Sequence, residues 1–141
     1  MSVRGFACTS LLILAGCTSI RVQPVESAAS VKHVCIQDNP KVIVSDFVPV
    51  VRDGFVRHGI STEVYSGEAP EGCDFILTYT ARRSWDFAPY LSHAELGLES
   101  QGRQVAYAEY HLRGKGGYSL MKWQGTKKKM DPVIEELLRA Y

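Results

Sequence analysis

Apolar and polar residues alternate with period two along residues 74–85, where Phe75, Leu77, Tyr79 and Ala81 interleave with Ile76, Thr78, Thr80 and Arg82. That pattern predicts a long strand with one apolar face and one mixed face. The period changes at Phe47, Val51 and Phe55, spaced i, i+4, i+8, which marks an amphipathic helix. Ser45 can cap it, Asp46 favours its positive end, and Pro49 is tolerated near the first turn. Gly59 stops it, and His58 just before reads as a cation at the negative end. A second helical stripe runs through Met130, Val133, Ile134, Leu137, Leu138 and Tyr141. This helix starts either at Thr126 or at the cap and first-turn pair Asp131-Pro132. Shorter strands are expected at residues 33–36 and 61–65, each followed by turn-forming residues.

Two further period-two segments bracket Gln101-Gly102-Arg103, and their register follows from sorting side chains onto faces. A three-residue loop with Ser100 opposite Gln104 collects Ala94, Leu96 and Leu98 with Ala106, Ala108, Tyr110 and Leu112. A two-residue loop would mix Glu109 and His111 with those leucines. The chosen register sets His93 opposite His111 and Glu95 opposite Glu109. Such a face either balances its charges through diagonal His–Glu pairs in water or holds a divalent ion such as zinc. Two helices and about five strands predict an α+β domain, a mostly antiparallel sheet with both helices packed on one face.

The N-terminal stretch differs from everything after it. Arg4, an apolar run from Phe6 to Leu14 and two small residues fit a signal peptide over residues 1–16. Leu14-Ala15-Gly16-Cys17 resembles the lipobox of bacterial lipoproteins. The resemblance implies cleavage before Cys17, acylation of its thiol and usually a third chain on the new amino group. Thr18 in the next position, rather than Asp, implies delivery to the outer membrane. Two or more acyl chains anchor stably, and no apolar run approaches the roughly 20 residues of a membrane-spanning helix. Residues 18–30 contain Pro24 and small polar residues without a sustained period, and so read as a flexible tether of about 20 Å reach. Residues 31–141 then form one periplasmic domain.

The formal charge of +1 falls to near zero once Arg4 is removed, which argues against a nucleic-acid partner. The single basic run, Lys127-Lys128-Lys129, reads as a solvated helix start. Cys8 leaves with the signal peptide and Cys17 carries lipid, so Cys35 and Cys73 remain as a pair. An oxidising periplasm makes a disulfide the default for them. It would close a loop of about 39 residues, worth about 4 kcal/mol in the chain-entropy model. The other readings are a metal pair, which lacks further well-spaced ligands, and two buried thiols. No cofactor motif is present, the glycines at 114–117 lack the phosphate-loop spacing, and no nucleophile is placed beside a base. A non-catalytic protein is therefore expected.

Residues 82–90 gather two arginines and three aromatics: Arg82, Arg83, Trp85, Phe87 and Tyr90. These residue types anchor protein interfaces; alternatively Trp85 and Tyr90 cover the end of the core. The order of elements resembles small outer-membrane lipoprotein modules similar in shape to the N-terminal domain of TolB and to lipopolysaccharide-assembly lipoproteins. More narrowly, Thr78-Tyr79-Thr80-Ala81-Arg82-Arg83-Ser84-Trp85-Asp86, Ala108-Glu109-Tyr110-His111-Leu112 and the stretch from Lys122-Trp123 to Leu138 resemble a family of uncharacterised Gram-negative lipoproteins. The expected protein is held in the outer membrane by its acyl chains, faces the periplasm, and serves as an accessory or adaptor to another envelope component. The alternative is a metal or small-ligand binder, or a metal-assisted hydrolase, using His93, Glu95, Glu109 and His111.

Overall fold

A computed structural model describes residues 18–141. The stretch expected to be signal peptide and lipobox, Cys17 included, lies outside the described residues. The elements are β1 (Thr18–Gln23), β2 (His33–Gln37), α1 (Phe47–Arg57), β3 (Ser61–Tyr65), β4 (Phe75–Asp86), β5 (Ala88–Ser100), β6 (Arg103–Leu112) and α2 (Thr126–Leu137). They build an α+β fold around one sheet in the order β1-β6-β5-β4-β2-β3.

Among the described residues the sheet has six strands where about five were expected, and it is mixed rather than mostly antiparallel. β1, β6, β5 and β4 pair antiparallel, whereas β2 runs parallel to both β3 and β4. The β2–β3 pairing follows from α1, which lies between them and carries the chain back over the sheet, as a parallel pair requires; the connection 66–74 then returns the chain past β2, so that β4 runs in the same direction on its other side.

The sixth strand is β1, where a flexible tether was expected. Thr18 pairs with Leu112 and the ladder continues to Gln23 opposite Tyr107. Val22 packs on the core and Val25 is buried within it, while the Val25 amide donates to the Leu137 carbonyl at 2.9 Å. Ile20 and Val22 alternate with Arg21 and Gln23, a pattern too short to stand out beside Pro24. What makes it a strand is the edge that β6 would otherwise leave unpaired.

The β5–β6 hairpin combines both registers weighed from the sequence. From His93↔His111 to Leu98↔Ala106 the pairs are those expected; beyond a bulge at Val105 they shift to Glu99↔Gln104 and Ser100↔Arg103. The connection is thus a two-residue turn, with φ of 51° at Gln101 and 73° at Gly102, the left-handed pair that suits a twisted hairpin. One extra residue on β6 restores the face sorting.

Leu77, Tyr79, Ala94, Leu96, Leu98, Ala106 and Ala108 line the buried face of the sheet. Phe47, Val51 and Phe55 from α1 and Met130, Val133, Ile134 and Leu137 from α2 complete the core. Where the helices cross, a Cβ on Gly54 would stand 2.7 Å from Ile134 Cγ2, so only glycine permits this approach. Asp46, not Ser45, is the α1 N-cap, and its carboxylate accepts the Thr126 hydroxyl at 2.9 Å, joining the two helix starts. His58 stands at the other end as expected, with Nδ1 2.9 Å from the Gly54 carbonyl and Nε2 3.2 Å from Glu135. α2 takes the earlier of its two starts, so Asp131-Pro132 lies inside it. Cys35 and Cys73 form a disulfide with a Cα–Cα distance of 5.9 Å.

The lysine run is only partly the solvated helix start expected. Lys127 bridges Asp53 and Asp131, but Lys129 is buried. Its ammonium donates to the Leu91 carbonyl at 2.9 Å and to the Lys122 carbonyl, and it faces the Tyr90 ring at 5.5 Å. Helical period places residue 129 one turn before Val133 on the inward stripe, which overrides its charge. Burial pushes the Lys129 amine down to about 8 from 10.5. Above about pH 8 the unfolded chain therefore binds more protons here than the folded one, and stability rises with pH until about pH 10. Denaturant midpoints of the wild type should climb across that interval relative to Lys129→Met; parallel profiles would contradict the assignment.

Candidate functional site

Both candidate regions lie on the long antiparallel half of the sheet. Ser19↔His111, His111↔His93 and His93↔Arg82 form one row across β1, β6, β5 and β4, and Thr18↔Leu112 is the next pair along and the last of β1 and β6. Among the described residues, only β4 and β5 continue beyond that pair, and they close on a tight turn with Asp86 opposite Ala88. Phe87 at its tip has φ of 60°, a conformation a bulky residue rarely adopts.

The five candidates at residues 82–90 separate. Trp85 is 72% exposed and Phe87 90% exposed, whereas Tyr90 is 3% exposed. Tyr90 therefore belongs to the core and is withdrawn as a partner-binding residue, and Trp85 does not cover the core end. The strand period explains both: past the irregularity between Arg82 and Arg83, Ser84 stands opposite Tyr90 and Trp85 opposite Pro89, so Trp85 points to the opposite face of the hairpin from Tyr90. Arg82 and Arg83 are exposed at the base of the hairpin.

A second segment joins this tip. The Trp123 indole donates to the Asp86 carbonyl at 2.8 Å. The Lys122 ammonium pairs with the Asp86 carboxylate, reaches the Gly117 carbonyl at 3.0 Å and lies 4.5 Å from the Trp123 ring. These bonds fix the stretch after β6 against the hairpin, and that stretch exposes Tyr118, Leu120 and Met121. Sequence reading missed these residues because they follow a glycine-rich segment without a period. The available signal was a cluster of large apolar side chains in a connection that should be polar.

On the open face of the sheet, three of the four proposed ligands converge. His93 Nε2 is 3.2 Å from Glu109 Oε1 and 3.7 Å from Glu95 Oε1, and one ligand atom from each of the three lies within 4.8 Å of the others. His111 stays outside that group and meets the His93 ring edge-on at 5.4 Å between centroids. Glu95 is positioned by the Tyr107 hydroxyl at 3.2 Å and the Thr80 hydroxyl at 3.3 Å. Burial first, and the Glu95 charge second, raise the Tyr107 pKa, which keeps this phenol a donor. Arg21 stands 3.9 Å from Glu109. The diagonal His93–Glu109 pair is the charge-balancing contact expected for a wet face, and the basin beside it, about 710 Å³, is lined by Arg21, Arg82, His93, Glu109 and His111 among others. His33, Cys35 and Glu63 also cluster, but the Cys35 sulfur is committed to the disulfide and offers no thiolate.

Among the described residues, no helix is long and apolar enough to cross a membrane. No protein-family model matches the chain, and no curated protein matches it. Solved structures do. A PelC dodecamer from Paraburkholderia phytofirmans aligns with a TM-score of 0.57 at 12% identity, covering 86% of this chain and 97% of that one. A single-substitution form of the same protein aligns at 0.54 and 14% identity, covering 86% and 98%. A minor lipoprotein from Acinetobacter baumannii aligns at 0.34 and 15% identity, over 77% of this chain and 87% of that one. At these identities the likeness to PelC is one of fold, carried through nearly the whole of both chains.

Proposed function

We propose that this chain is a non-catalytic accessory lipoprotein of the bacterial envelope. It is anchored by acyl chains on Cys17 at the periplasmic face of the outer membrane and binds another envelope component through its hairpin tip. One observation carries the reading: Trp85 and Phe87 are exposed at the end of the sheet where the chain enters β1 directly after Cys17. Exposed aromatics beside arginines are costly to leave in water and are the residues that anchor contacts. Fractionation of cells tests the anchor. The wild-type chain should sediment with outer membranes and Cys17→Ser should not mature or reach them; equal distribution of the two would refute it.

A second reading rests on the His93, Glu95 and Glu109 cluster. Ligands around a tetrahedral zinc at about 2.0–2.1 Å lie about 3.3 Å apart, close to the two separations from His93 Nε2. On this reading the open face holds a divalent cation. Calorimetric titration with zinc gives binding heat at micromolar metal that Glu109→Gln removes; no heat refutes it.

A further inference from the structure

We infer that the envelope component met by the hairpin tip is the bilayer itself, in the same leaflet that holds the acyl chains. This deepens the anchored reading above and rests on it. No linker separates Cys17 from the domain: Thr18 is already the first residue of β1 and is paired with Leu112. One peptide unit moves the chain only 3.8 Å, so lipid on Cys17 holds this end of the sheet at the membrane surface. The row of Ser19, the residue next to Thr18, passes through His111 and His93 to Arg82, and Arg83 follows it at the base of the tip. From Arg83 to Phe87 the strand advances four residues, about 13 Å. The headgroup layer on one side of a bilayer is about 5–8 Å thick, so a tip of this length crosses it.

The chemistry follows the geometry. Trp85, Phe87, Tyr118, Leu120 and Met121 are all exposed, and the bonds from Lys122 and Trp123 to Asp86 hold the two segments that carry them together. Trp and Tyr favour the interfacial layer, and Phe, Leu and Met the acyl boundary beneath it. Arg82, Arg83 and Arg113 are exposed on the domain side of these apolar residues, at the level where phosphate groups lie. An acylated anchor and an inserted apolar tip at one end are two membrane signals, and together they fix the strands upright rather than letting the domain swing. The His93 basin then lies beside the headgroups, and the β5–β6 turn at Gln101 points into the periplasm.

The test places a photoreactive residue at Phe87, at Leu120 and, as the far-end control, at Arg103, in the full-length chain in living cells. Adducts are sorted by mass after irradiation, and the acylation of Cys17 is read from the same samples. Phospholipid adducts at 87 and 120 with none at 103 are expected. A dominant protein adduct at 87 without lipid overturns the inference and makes the tip a protein interface. Absence of any adduct at 87 in a membrane-bound, acylated chain overturns it as well. Lipid adducts at 87 in a chain whose Cys17 is unmodified would instead refute the anchor while upholding the tip.

Discussion

Reducing the Cys35–Cys73 bond is expected to lower the stability of the domain by about 4 kcal/mol in the chain-entropy model. The sequence separation is 38 residues, and the closed loop contains all of α1 and β3. Opening it restores the conformational freedom of that segment in the unfolded chain. The native geometry adds a local reason for a large effect. Among the described residues, β3 is a five-residue edge strand held in the sheet by β2 alone, and the connection from β3 to β4 is tied down near its end by Cys73. Reduction changes no side-chain volume, so the comparison isolates the cross-link from packing. Urea unfolding of the oxidised and reduced chains measures it; coincident midpoints would show that the cross-link contributes nothing.

Phe47→Ala is expected to cost about 3–5 kcal/mol, the range for removing a buried aromatic ring. Phe47 opens α1, is fully buried and stacks on Tyr79 at 5.6 Å between ring centroids. Tyr79 in turn receives the Asn39 amide on its hydroxyl at 3.1 Å, while the Asn39 side chain donates to the Tyr79 carbonyl at 2.9 Å. The ring thus supports the helix, the central strand β4 and the turn that leaves β2. Loss of it opens a cavity where three elements meet, in an interior packed without spare volume. The exposed Phe87 gives the contrast: Phe87→Ala should change stability by less than about 0.5 kcal/mol. Thermal unfolding of the two variants separates them, and similar losses would mean that the tip is part of the core.

The features legible in the sequence were those written in local period. The Phe47, Val51, Phe55 stripe gave α1, the alternation around Leu77 gave β4, and face sorting gave the His93↔His111 register together with the convergence of His93, Glu95 and Glu109. Tertiary partners decided the rest. β1 has too little alternation to declare itself and exists because β6 has an edge to fill. The parallel run of β2 depends on where α1 lands, which no local pattern encodes. Lys129 looks solvated by type and is buried by phase, with two backbone carbonyls from β5 and the 120–123 turn waiting for it. The aromatic cluster was visible as composition, but assigning Tyr90 to the core and Phe87 to the tip required knowing that the strands outrun the helices.

The measurement closest to the central claim is intact-mass analysis of the chain extracted from purified outer membranes. The account predicts a mature protein beginning at Cys17, heavier than its residues by two or three acyl chains and by the glycerol that carries two of them, with the Cys35–Cys73 disulfide intact. A chain recovered from the soluble periplasm, or one beginning elsewhere with an unmodified Cys17, would contradict it.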